Sequence, residues 1–188
     1  MATDFTIPKL AEAPETGATM PVLFIGHGSP MNAIEDTEFS RAWAEVARSL
    51  PKPKADVPVV QLSLDETKQP AFHYELGREL RGLRKKGVLI IGSGNIVHNL
   101  REVVWEDTAY DWALEFDAKV KDLILSGDHK AIIDYSRLGR SAQLAVPTLD
   151  HYLPLLYVLG VQDKADGVSF FADKVTLGSM SMRSVRFG

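Results

Sequence analysis

A short apolar run, Pro21–Ile25, stops abruptly at Gly26-His27-Gly28-Ser29-Pro30, and this junction constrains the chain most. A run of that length ending in glycine reads as a buried strand. Beyond the junction the apolar pattern switches between two periods. Thr37–Leu50 places Phe39, Trp43, Val46, Ala47 and Leu50 on one helical face. Val57–Leu64 is rich in β-branched residues and predicts a second strand, with Pro58 at its beginning or on an edge. Gln69–Lys86 returns to helical spacing, and its basic end followed by Gly87 predicts a helix terminus. Val88–Ile91 predicts a third strand, ending in Gly92-Ser93-Gly94-Asn95.

Further along, Asp111–Leu125 predicts an amphipathic helix, His129–Leu138 a shorter one, and Thr148–Leu159 a buried one with Pro154 in its first turn or at a kink. Val168–Phe171 and Ser184–Phe187 are strand candidates. Strand and helix in alternation predict an α/β fold: a single domain with a mostly parallel central sheet flanked by helices. Residues 1–19 read as a flexible leader without the basic start and apolar core of a signal peptide, and residues 20–188 as the domain.

Composition narrows the chemistry. The 188 residues include no cysteine, so any metal must be held by His, Asp or Glu. The net charge of −4, with no basic block, argues against nucleic acid and anionic membrane as partners. No stretch is long and apolar enough to span a bilayer, and the expected location is cytoplasmic.

Ligands of open parallel sheets bind beyond the carboxyl ends of the strands. Three loops qualify: residues 26–30, 63–65 and 92–99, and two of them carry a histidine. Glycines around His27 would let the backbone approach a ligand closely. The plainer reading of that loop is a turn with an incidental histidine. His98 lies a few residues past its strand, with Asn95 and Asn99 placed to orient the ring. His151 falls at the start of the Thr148 helix, where the dipole favours a neutral imidazole, but an interfacial histidine would read the same way. His73 reads as structural and His129 as a solvated loop residue. No G-x-S-x-G, G-x-G-x-x-G or Walker A pattern is present.

Several segments, in order, resemble the class III extradiol ring-cleavage dioxygenases, and most closely their 4,5-DOPA dioxygenase-like branch. They are GHGSPMNAIED, VVQLSLD, HYELGREL, SGNIVHNLR, Trp105, HYLPLLYVLG and LGSMSMRS. The resemblance implies an α/β fold and a histidine-rich centre for Fe(II) or Zn(II). It implies O2-dependent opening of a small aromatic diol beside its hydroxyls. His27 would be a metal ligand, His98 a ligand or the catalytic acid/base, and His151 the remaining ligand position.

Members of that family continue from the Lys-Pro-Lys-Ala segment into a strand ending in Ser-Ala-His-Trp and a long central region. Here Ala55 runs straight into Asp56, so the chain is read as internally shortened near 55–56, without the second ligand histidine. Reduced catalysis is the expected consequence. An inactive relative that binds metal or a protein partner is the alternative, and a chelatase-like metal-binding protein a second one. Newly exposed apolar surface would favour a homo-oligomer. Asp65 has two readings: a carboxylate replacing the lost ligand in a two-histidine, one-carboxylate set, or a cap at the entrance of the next helix.

Overall fold

The computed structural model describes residues 7–51 and 58–188. Its centre is the strand β1 (Val22–Gly26), which alternates as a strand must, so Val22 and Phe24 turn to one face and are fully buried. The element that covers that face is α7 (Leu153–Val161), in which every residue is buried. Pro154 sits in its first turn, where no helical N–H is lost. Each fully buried Leu, Val or Phe on this seam contributes about 1.5–3 kcal/mol of transfer free energy.

β1 runs parallel to β2 (Ile90–Gly94), with Gly26 opposite Gly94. On its other side it pairs antiparallel with β6 (Ser184–Phe187), and β6 pairs antiparallel with β3 (Val168–Phe171). The sheet order is therefore β2-β1-β6-β3. The α/β class matches the sequence reading. The expectation of a mostly parallel sheet is corrected, since one strand pair is parallel and two are antiparallel.

The physical reason lies in residues 58–64, which form no strand. Val59 there is 91% exposed. Their β-branched composition fits a pleated surface, but a strand exists only where a partner supplies its hydrogen bonds. Among the described residues the outer edge of β2 is unpaired, and Ile91 on it is 54% exposed. Val57 and the 55–56 junction lie outside the described residues.

The helices keep the predicted periodicity with shifted ends. α2 (Glu38–Ser49) opens on a reciprocal cap, in which Thr37 Oγ1 accepts from the Ser40 N–H and Ser40 Oγ accepts from the Thr37 N–H. Its apolar face is only half-buried. α3 (Pro70–Leu80) packs along α7 and tightens into a 3-10 turn over Arg81–Lys86, which ends at Gly87 in the left-handed region. α4 (Asp111–Ser126) packs on the core through Phe116 and Val120. The predicted 129–138 helix is split into α5 (His129–Ile133) and a 3-10 turn, and α6 (Arg140–Ala145) comes after it.

Before β1, α1 (Ile7–Glu12) leads into a segment tied down by backbone hydrogen bonds from Thr16 to Lys85 and from Met20 to Arg84. Residues 7–19, read as a flexible leader, thus contain a helix and fixed contacts, while residues 1–6 lie outside the described residues. A two-stranded ribbon, β4 (Val175–Thr176) and β5 (Met180–Ser181), closes the end of the sheet where β1 and β2 finish. Among the described residues no helix is long and apolar enough to cross a membrane.

Candidate functional site

β1 and β2 end side by side, so their loops emerge together. The His27 N–H donates to Gly94 O at 3.2 Å and extends the parallel ladder by one step. The loop after β2 turns back under α7, where the Asn95 N–H donates to His151 O at 2.9 Å. This approach requires Gly94, because a Cβ there would meet His151 O at 2.2 Å. His98 is fixed through its backbone, donating to Ala145 O at 2.9 Å and bridging to Met180 of β5.

Three histidines distant in sequence therefore meet at one end of the sheet. The ring centroids of His27 and His151 lie 5.2 Å apart, tilted by 55°. Those of His98 and His151 lie 3.6 Å apart with planes 8° from parallel. All three are half-buried. Burial lowers the His27 pKa, and the neighbouring His151 lowers it further. His98 is pushed down to about 4, first by burial and then by His151. Both rings are neutral near pH 7, the state in which an imidazole nitrogen can donate a lone pair.

The fit to a metal ion is that of two donors. Two imidazoles on one tetrahedral ion, with bonds of about 2.0–2.1 Å, place their centroids about 5 Å apart. The His27–His151 pair meets that spacing. His98 does not join it, because lone pairs lie in the ring plane and stacked, parallel rings cannot aim them at one point. Among the described residues no group of three or more His, Asp or Glu side chains converges as metal ligands do. A proton-transfer position beside the pair remains open to His98.

His151 lies in the turn ahead of α7, two residues before its first helical residue, rather than in the first helical turn. Asn95 and Asn99 do not orient an imidazole. Their side-chain amides donate to Ser181 O at 2.7 Å and Leu144 O at 2.8 Å, so they hold backbone instead. Asp65 joins neither His27 nor His98. Its carboxylate accepts from the Thr67 N–H at 3.0 Å and from the Thr67 hydroxyl at 2.6 Å, in a turn beside His73. It caps that turn, and the N-cap of α3 is Gln69.

His73 is buried and structural, as the sequence suggests, with Nδ1 3.1 Å from the Tyr157 hydroxyl. His129 is not a solvated loop residue. It opens α5, half-buried, with Nδ1 3.1 Å from the Tyr74 hydroxyl.

Two neighbours of the histidines, Ser93 and Asp150, have no role in the sequence reading. Ser93 Oγ is hydrogen-bonded to His27 Nδ1 at 2.9 Å. Asp150 Oδ2 stands 2.7 Å from His151 Nδ1, but poorly aligned, so His151 Nδ1 has no hydrogen-bond partner. An Asp immediately before a candidate ligand is a signal that could have been weighed.

Comparison with known proteins agrees with this arrangement of elements. The 4,5-DOPA dioxygenase extradiol of Escherichia coli (strain K12) is 28% identical over 270 aligned positions, covering 96% of this chain and 99% of that protein. That alignment is longer than the 188 residues here, so the E. coli protein contains stretches with no counterpart in this chain. The 4,5-DOPA dioxygenase extradiol of Portulaca grandiflora is 35% identical over 182 residues, covering 94% of this chain, which spans 65% of that protein's length. The crystal structure of protein JW3007 from Escherichia coli K12 superimposes with a TM-score of 0.77 at 28% identity, covering 90% of this chain and 100% of that one. Residues 48–188 match the family described as the catalytic LigB subunit of aromatic ring-opening dioxygenase. The chain belongs to that LigB family of aromatic ring-opening dioxygenases.

Proposed function

We propose that the chain is an extradiol ring-cleavage dioxygenase acting on a small catechol- or DOPA-type diol with O2, in the cytoplasm. The observation that carries the reading is the meeting of His27, His98 and His151 where β1 and β2 end, in a chain of this family. His27 and His151 would hold the ion, Fe(II) for catalysis or Zn(II) in its place. When bound, such an ion supplies Lewis acidity to a catecholate and redox chemistry toward O2.

The chain's own residues account for the rest. His98, kept neutral by burial, is poised to take a proton from a diol hydroxyl at its ring nitrogen and to return it later. Its stacking on His151 holds it beside the ion-binding pair without competing for the ion. In the overall reaction one ring C–C bond next to the hydroxyls breaks and both atoms of O2 enter the product. No external reductant is needed.

The test is oxygen uptake with catechol or DOPA and added Fe(II), with formation of the coloured semialdehyde. The expected outcome is slow turnover that His98→Ala removes. The rate should fall far below that of the longer relatives, because two protein donors hold an ion less firmly than three. Absence of oxygen uptake together with stoichiometric metal binding would favour the second reading, a metal-binding relative without catalysis. That reading is favoured by the lack of a three-donor group among the described residues.

A further inference from the structure

We propose that Ser93 is a positioning residue for His27: its hydroxyl accepts from the His27 Nδ1–H, fixes the ring, and leaves Nε2 as the free lone pair. The proposal deepens the metal reading and rests on it for the use to which Nε2 is put.

The sheet register makes the contact. Ser93 lies opposite Ile25 in the parallel β1–β2 pair. Side chains two residues apart on a strand share a face, so Ser93, Ile25 and His27 all project from the side away from α7. The His27 N–H bond to Gly94 O keeps the chain extended one residue beyond β1, which carries the imidazole to the Ser93 hydroxyl. Gly94 and Gly92, on the opposite face of β2, are pressed against the backbone of His151 and Pro154, which prevents β2 from rolling. The hydroxyl is therefore held by a rigid strand and not by a mobile loop.

A histidine ligand needs one nitrogen protonated and anchored so that the other is unprotonated and aimed. Free histidine prefers the opposite tautomer, with the proton on Nε2. The Ser93 contact, 2.9 Å from Nδ1, supplies the anchor. Ser93 reaches only this one of the three histidines, so its effect is specific to His27.

The test compares the wild-type chain with Ser93→Ala and Ser93→Thr. Long-range 1H–15N spectra of metal-free, histidine-labelled protein, recorded where the imidazoles are neutral, report the tautomer of each ring. The wild type and Ser93→Thr should show His27 with its proton on Nδ1, and Ser93→Ala should shift it toward Nε2. Zinc affinity, read by competition with a chromophoric chelator, should fall about 10–100-fold in Ser93→Ala and recover in Ser93→Thr. An Nε2–H tautomer at His27 in the wild type, or an unchanged tautomer in Ser93→Ala, would overturn the assignment. If the tautomer tracks Ser93 but the wild type binds no zinc, the metal reading fails and the role of Ser93 in orienting the ring stands.

Discussion

His98 lies flat on His151, with ring centroids 3.6 Å apart and planes 8° from parallel. Two stacked imidazoles tolerate at most one positive charge, and half-burial raises the cost of either. His98 is accordingly pushed down to about 4, by burial first and by His151 second. Its folded pKa is below the unfolded value of about 6.5, so the unfolded chain binds the extra proton between those values. Stability should therefore be unaffected by His98 above about pH 6.5 and should fall as pH drops toward 4. Histidine proton shifts measured against pH will show His98 titrating near 4, well below the ordinary imidazole range. Replacing His151 by Ala should raise its pKa toward the ordinary value. An unchanged titration in that variant would remove the stack as a cause.

His27→Ala should lower metal content and His129→Ala should not. His27 meets His151 at the spacing of a shared ion, whereas His129 is tied to Tyr74 on α3. The loss at His129 is instead a hydrogen bond, worth about 0.5–1.5 kcal/mol of stability. Elemental analysis and urea unfolding of the two variants separate the effects. Equal metal content in both would contradict the assignment of His27.

Gly94→Ala should disturb the centre without replacing a histidine. Its Cβ would fall 2.2 Å from His151 O, in a place where backbone must move to admit it. Overpacking of this kind costs about 1–3 kcal/mol. The His151 turn should be pushed off β2, and the ring-current shift that His151 imposes on the His98 protons should shrink. A wild-type His98 spectrum in this variant would show that the turn is not seated by Gly94.

Asp117→Ala should be among the most destabilising single changes in α4. The Asp117 carboxylate accepts from the Arg183 Nε–H at 2.9 Å and from the Ser181 hydroxyl at 2.6 Å, and both partners are buried. Removing it leaves a guanidinium with Asp173 as its remaining ion-pair partner. Breaking a buried pair costs about 3–5 kcal/mol, and the surviving contact places this case at the lower end. Chemical denaturation measures it. A midpoint within error of the wild type would mean that Asp173 alone suffices.

Much of this was legible because periodicity survives folding. The apolar run before Gly26 and the one before Gly92 became adjacent parallel strands, and the glycines at their ends allowed His27 and the 94–98 turn to approach other backbone. The Val57–Leu64 run misled because local preference cannot report a missing partner. Asn95 and Asn99 misled for a related reason: their amides are taken up by the backbone carbonyls of Ser181 and Leu144, remote in sequence. His129 read as solvated since nothing in its neighbours in sequence announces Tyr74, 55 residues away. Ser93 lies in the 92–99 loop and opens the SGNIVHNLR segment, but only the β1–β2 register brings it to His27.

The placement of β6 has a consequence for how the protein is made. This strand, residues 184–187, is the last of the sheet to be synthesised, yet it lies inside it between β1 and β3. While the ribosome still holds those residues, β1 has only β2 as a partner, and β3 has none. Until β6 is added, β1 presents an unpaired edge and β3 stands alone. The sheet therefore closes only once β6 inserts between β1 and β3. Loss of residues 184–187 would remove the strand that joins β1 to β3.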